Sequence, residues 1–200
     1  PEPGPNILGE QSSDKESVLP TEYTWAGNKA RCLGVTLHAI FQEISKSELN
    51  VWKDKDQNSL EKVLRTRLLS EGLPSSDLDS AIQEGMKAIK NIFEDPKGRW
   101  IFQNHKNHQS EYALSGFISD SPVNRIIDRT FIDENNFRWI IDFKTGKHEG
   151  ANIEKFFEEE KKRYNDQLEG YETLFKQFGE TRTIKKALYY PMHQRFIEIV

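Results

Sequence analysis

The sequence predicts an α/β domain: a mixed central sheet flanked by helices, with a helical layer on the N-terminal side. Two observations carry the prediction. Apolar residues recur at helical spacing in three successive segments before residue 95 and in one long segment after residue 152. Runs rich in β-branched and aromatic residues, of strand length, lie between them, and two more close the chain. Helices, strands, a hairpin, a helix and strands, in that order, match an α/β domain with a mixed sheet.

The first helix is predicted over Asn28–Ser47, where Leu33, Leu37, Ile40, Phe41 and Ile44 form one stripe and His38 borders it. Helical patterns follow at Asn58–Glu71 and Ser76–Phe93, separated by Gly72-Leu73-Pro74 and ended by Asp95-Pro96-Lys97-Gly98. A short element, Arg99–Gln103, leads to His105 and His108, which lack any Cys or carboxylate at ligand spacing and read as loop residues. Glu111–Ile118 alternates as a strand. Ile126–Ile132 and Phe137–Phe143 flank the polar tip Asp133–Asn136 as an antiparallel hairpin, apolar on both faces and so covered on both sides. The longest helix is predicted over Asn152–Phe178, with Phe157, Lys161, Tyr164, Leu168, Tyr171, Phe175 and Phe178 as its buried stripe and Gly179 as its stop. Thr183–Tyr190 and Arg195–Val200 are the closing strands, separated by Pro191.

The chain's 200 residues are 30% charged and 36% hydrophobic, with no apolar run long enough to span a membrane and no signal peptide at the start. Residues 1–22 begin with three prolines in five positions and have no apolar period; they read as a linker or disordered arm ahead of a domain at 23–200. An opening without methionine reads as a piece of a longer protein. No phosphate-binding G-x-x-x-x-G-K-[ST] loop occurs, so any motor lies outside the chain. The single cysteine, Cys32, excludes an internal disulfide and a four-cysteine iron–sulfur cluster, and fits a reducing cytoplasm. A net charge of −4 and a pI near 5.8 leave nucleic-acid binding to local patches. The candidates are Lys144 with Lys147, Lys161-Lys162-Arg163, and Arg182 with Lys185-Lys186.

The hairpin carries the chemistry. Asp142 and Lys144 are two apart on one strand and share a face. An odd loop, Glu134–Asn136, pairs 133 with 137 and therefore Asp128 with Asp142, setting two carboxylates against each other. Opposed buried carboxylates need positive charge, which Lys144 supplies in part and a divalent metal would complete. The alternative is a structural ion pair, Asp142 with Lys144 or Asp128 with Arg129 or Arg125. Gln167, one turn before Tyr171, lies on the flank of the long helix's stripe and suits a group reaching to the hairpin, or an ordinary boundary amide. Paired carboxylates also serve glycosidases, but these have no use for the lysine.

Ile127-Asp128-Arg129, Trp139-Ile140-Ile141-Asp142-Phe143-Lys144-Thr145-Gly146, and Gln167 with Tyr171 resemble the motifs of PD-(D/E)xK nucleases, closest to the RecB-like domain of RecB- and AddA-type helicase-nucleases. Gly34-Val35-Thr36-Leu37-His38 resembles that family's helix with a metal-binding histidine. The resemblance runs from about Tyr23 to Pro191 and implies a restriction-endonuclease-like fold. It implies a metal-dependent deoxyribonuclease, an exonuclease before an endonuclease, although the residues themselves leave that choice open. The implied setting is a larger ATP-dependent helicase-nuclease of double-strand break processing and recombinational repair. Its partners would be DNA, helicase motor domains and a partner subunit.

By the same resemblance Asp128, Asp142, Lys144, Gln167 and Tyr171 are catalytic. His38, Asp128, Asp142 and the Phe143 carbonyl would hold Mg²⁺ or Mn²⁺. Glu111 falls where the family has an acidic residue and is an accessory candidate, while Lys147 and Arg129 are candidate DNA contacts. Arg125-Ile126-Ile127-Asp128 departs from the family's commoner Gly-x-x-Asp. The competing expectation is a degenerate nuclease fold that only binds or scaffolds DNA.

Overall fold

The computed structural model describes residues 21–47, 49–119, 121–147 and 152–199. The predicted arm at 1–22 therefore lies outside the described residues except for its last two, which already belong to a helix. Five strands form one sheet in sequence order: β1 (Lys106–Ile118), β2 (Ser121–Ile132), β3 (Arg138–Phe143), β4 (Ile184–Tyr190) and β5 (Arg195–Ile199). Only β3 and β4 run parallel, and α6 (Ile153–Gln177) connects them, as a parallel pair requires. The sheet is thus mixed, as the sequence predicts.

Alternate residues of the central strands feed two cores. Phe131, Trp139, Ile141, Phe143 and Tyr189 pack beneath the N-terminal helices α1 (Thr21–Lys46), α2 (Leu49–Lys53), α3 (Gln57–Ser70), α4 (Ser75–Glu94) and α5 (Pro96–Phe102). Ile140, Leu188 and Tyr190 pack against Phe157, Leu168, Leu174 and Phe175 of α6. Burial on both faces explains why β2 and β3 read as continuous apolar runs.

Several boundaries differ from expectation for local reasons. Asp95 and Pro96 end α4, as expected, and at once start α5: the Asp95 carboxylate accepts from Lys97 N and Gly98 N, and Pro96 takes a first-turn position where no N–H is needed. The sequence pattern missed α2, whose Trp52 is its one buried anchor. His108 lies within β1, and only His105 is a loop residue. Phe178, assigned to the buried stripe, is 62% exposed because the chain has already turned at the helix end. There Gly179 (φ +85°) donates to Lys176 O and Glu180 N to Phe175 O, the wrap that a left-handed residue permits. Within the charge run 158–163, Glu160 is buried, accepting from Tyr190 Oη at 3.0 Å.

Candidate active site

The β2–β3 register is the one the odd loop requires. Asp133 N donates to Phe137 O, and rungs run from Ile132↔Arg138 to Arg129↔Ile141. The next pair would be Asp128 and Asp142, where the ladder ends and the strands diverge. Asp128 holds the fork: its Oδ2 accepts from Phe143 N at 2.6 Å.

Simple alternation does not describe Asp128, however. On its other side β1 pairs Ser110 with Arg129 and Tyr112 with Ile127, while Glu111 and Asp128 form no rung, and Glu111 has φ +51°. Arg129 bonds toward α5 and Ile127 packs under α6, although they are two positions apart and alternation would put them on one face. The sheet edge turns over at this rung. A left-handed non-glycine residue costs about 1 kcal/mol or more and marks positions the surrounding fold over-determines. Its effect here is to group Glu111 and Asp128 with His38 of α1.

His38 Nδ1 lies 3.3 Å from Asp128 Oδ1. One donor atom from each of His38, Glu111 and Asp128 lies within 4.8 Å of the others, close to the roughly 4.2 Å between trans ligands of an ion with 2.1 Å bonds. The cluster forms the wall of a cavity of about 640 Å³ also lined by Gly34, Val35, Gln42 and Ile126. Gly34 matters sterically, since a Cβ there would stand 3.3 Å from Thr145 Oγ1 in the segment after β3.

Asp142 arrives from the α6 side. Its Oδ1 accepts from Gln167 Nε2 at 2.8 Å, and the same nitrogen lies 2.6 Å from Tyr171 Oη. Oδ2 has Lys144 Nζ at 2.7 Å, yet no donor is aligned on it as a hydrogen bond, so charge alone balances that oxygen. Burial, then the Asp128 charge, raise the Asp142 pKa against the pull of Lys144. Glu111 is raised by burial and Asp128 in turn. For His38 burial acts downward, but the Asp128 hydrogen bond and charge prevail and raise it. Three carboxylates thus face one lysine and one histidine, a site short of positive charge with an imidazole and carboxylate oxygens as donors. That donor set fits a divalent cation.

The structure therefore brings His38, Glu111 and Asp128 into one cluster, and Asp142, Lys144, Gln167 and Tyr171 into a second that meets it at the fork. The first set takes in Glu111, expected only as an accessory, whereas Asp142 is engaged by Lys144 and Gln167. Of the two expected DNA contacts, Arg129 is buried and Lys147 is exposed. Arg129 is 0% exposed and spends its guanidinium on Ile101 O, Gln103 O, Ser110 Oγ and His108, so it cannot touch a nucleic acid directly. Lys147 pairs with Glu84 at 2.8 Å, which also binds Lys29 and ties the segment after β3 to α4 and α1. Of the other basic patches, Lys186 is buried against Glu172 and Arg182 pairs with Glu180. Sequence reasoning missed Tyr164 as a site residue: the Lys144 ammonium stands 3.3 Å from its ring centroid. Its position three residues before Gln167, on the same stripe, was the available signal.

A mixed sheet with a carboxylate pair and a lysine at the β2–β3 fork is an arrangement suited to metal-dependent phosphodiester hydrolysis. The PD-(D/E)XK nuclease superfamily model matches residues 19–198, and the chain belongs to that superfamily. Compared with individual characterised proteins, it finds no match. No helix among the described residues is long and apolar enough to cross a membrane.

Proposed function

We propose that the chain is the nuclease domain of a larger ATP-dependent helicase-nuclease and hydrolyses DNA phosphodiesters, as an exonuclease, with Mg²⁺ or Mn²⁺. The observation that carries the nuclease reading is the meeting of the His38–Glu111–Asp128 cluster with Asp142 and Lys144 at one strand fork. The RecB-like motifs support the helicase context, the role in double-strand break repair and the partner subunit.

His38, Glu111 and Asp128 would hold the ion, with Asp142 and the Phe143 carbonyl beside them. When bound, the ion lowers the pKa of a water and screens charge on the phosphate. The remaining work belongs to this chain's own groups. Lys144, held between Asp142 and the face of Tyr164, presents its ammonium to the phosphate as negative charge builds. Gln167, braced by Tyr171, fixes the rotamer of Asp142. Asp128 keeps the fork open through Phe143 N and orients His38.

The test is cleavage of single- and double-stranded DNA in Mg²⁺, Mn²⁺ or EDTA. Wild type should cut only with an ion. Asp128→Ala, Asp142→Ala and Lys144→Ala should each lose on the order of 10²–10³-fold, and their losses should not add because the groups act as one unit. Cutting that survives all three substitutions overturns the reading. A wild type inert with every ion, whose DNA affinity ignores Mn²⁺, identifies a binding scaffold instead.

A further inference from the structure

A second cleft opens one helical turn along α1 from the metal-ligand cavity. Gln42 lines the first, and Lys46, four residues on, lines the second, a cleft of about 500 Å³ that Ser45, Asn50, Phe102, Gln103 and His108 also wall. The eight residue steps from His38 to Lys46 span about 12 Å of helix, so one strand of nucleic acid could reach both. Of the described residues that line this cleft none is acidic.

Its back wall holds a buried cation. Arg129 is 0% exposed and has no carboxylate partner among the described residues; carbonyls, a hydroxyl and an imidazole take its N–H groups. A guanidinium can only donate, so His108 Nδ1, 3.2 Å from Arg129 Nη1, must be the acceptor. That leaves the proton on Nε2, for which no acceptor occurs among the described residues. Burial first, and then Arg129, hold the His108 pKa down, which keeps the ring in this neutral form. The positive charge of Arg129 is thereby projected through His108 to the wall of the cleft. Lys46 adds an exposed ammonium that makes no ion pair with a described residue, though it lies near enough to Glu111 to oppose that residue's upward pKa shift.

We infer that this cleft is a subsite for a phosphodiester of the substrate strand near the scissile bond, with Lys46 Nζ and His108 Nε2–H as donors and Arg129 as the buried counter-charge behind them. The inference rests on the nuclease reading for the path of the strand. A phosphate supplies a negative charge with several acceptor oxygens, to complement donors that no acidic residue among the described lining neutralises.

The test is binding in EDTA, read by fluorescence anisotropy, so that it does not depend on cleavage. Oligonucleotides carry one uncharged methylphosphonate linkage, moved step by step along the strand. In wild type one linkage should stand out, its neutralisation weakening binding about 5- to 10-fold. Lys46→Gln should weaken the unmodified strand by a similar factor and lower the salt slope by about one. His108→Asn keeps an acceptor near the Nδ1 position for Arg129 while removing the Nε2–H donor. In the double variant the sensitive linkage should no longer matter. Lys46→Gln, on an exposed last turn, carries the test alone if the His108 variant does not fold, and should then blunt the linkage effect. A linkage profile identical in wild type and Lys46→Gln overturns the inference. So does a cleft that takes inorganic phosphate while no linkage stands out. Absence of cleavage with every ion, with the linkage effect intact, sinks the nuclease reading and leaves the subsite in place.

Discussion

At its start β3 sets Arg138 against Glu180; near its end it sets Asp142 against Lys144. The Glu180 and Asp142 side chains are each 6% exposed, although Glu180 lies near the surface and Asp142 deep in the interior. Their protonation is pushed in opposite directions. Burial acts upward on Glu180, but Arg138 Nε at 2.9 Å, Arg182 N at 3.0 Å and Arg182 Nη1 at 2.8 Å all donate to it and hold its pKa at about 2. Asp142 has one aligned donor, Gln167, and a lysine at 2.7 Å, with Asp128 close by, and its pKa rises. Side-chain exposure alone therefore does not separate the structural carboxylate from the functional one, and depth adds to the contrast. The balance of donors and neighbouring charge acts with that depth: Glu180 has two arginines to itself, whereas Asp142, Asp128 and Glu111 share Lys144 and His38.

The comparison breaks most easily at Glu180. Glu180→Ala leaves two guanidinium groups without their shared partner and should cost about 3 kcal/mol, read as a lower urea midpoint at unchanged slope. Cleavage per folded molecule should persist, because the ion pair lies at the opposite end of the strand from the fork. Simultaneous loss of stability and of metal-dependent cutting in the folded fraction would show that the two ends are coupled.

A smaller effect is the pH dependence of that loss. Glu180 has a folded pKa depressed below its ordinary value of 4.5, so its contribution is complete above that value and disappears as pH falls toward about 2. The gap between wild type and Glu180→Ala should narrow as urea midpoints are taken from about pH 6 down to about pH 3. A gap that stays constant with pH would assign the loss to packing rather than charge.

Both ends of β3 could be located in the sequence, for different reasons. The odd tip Glu134–Asn136 set the register because strand parity leaves little choice once Asp133 and Phe137 are paired. The helical stripes of α1, α3, α4 and α6 were legible because one face of each meets a core. What escaped depended on partners distant in the chain. Glu160 reads as one more charge in a run until Tyr190 is folded onto it. Arg129 reads as a surface cation beside an active-site aspartate until α5 offers it carbonyls. The turnover at Glu111 escaped because nothing in its residue type announces φ +51°. Alternation therefore put Asp128 near its neighbours without showing how it reaches His38.

The subtlest test concerns Asp142 itself. Its folded pKa is raised, so the contribution it makes to stability is present below the ordinary carboxylate range and is lost as pH rises through the folded value. Above both, the apoprotein carries a charged group that its surroundings disfavour. Asp142→Asn cannot ionise, and the Gln167 amide can turn over to accept from the new N–H₂ while the amide oxygen stays toward Lys144. In EDTA the variant should therefore be more stable than wild type at pH 7, by about 1 kcal/mol or a few degrees in Tm, and no more stable near pH 3.5. With Mn²⁺ the order should invert, because wild type gains from ion binding and the variant gains less. A variant that melts below wild type at pH 7 in EDTA would mean that Lys144 fully compensates Asp142. The shortage of positive charge at the fork would then rest on Asp128 and Glu111 alone.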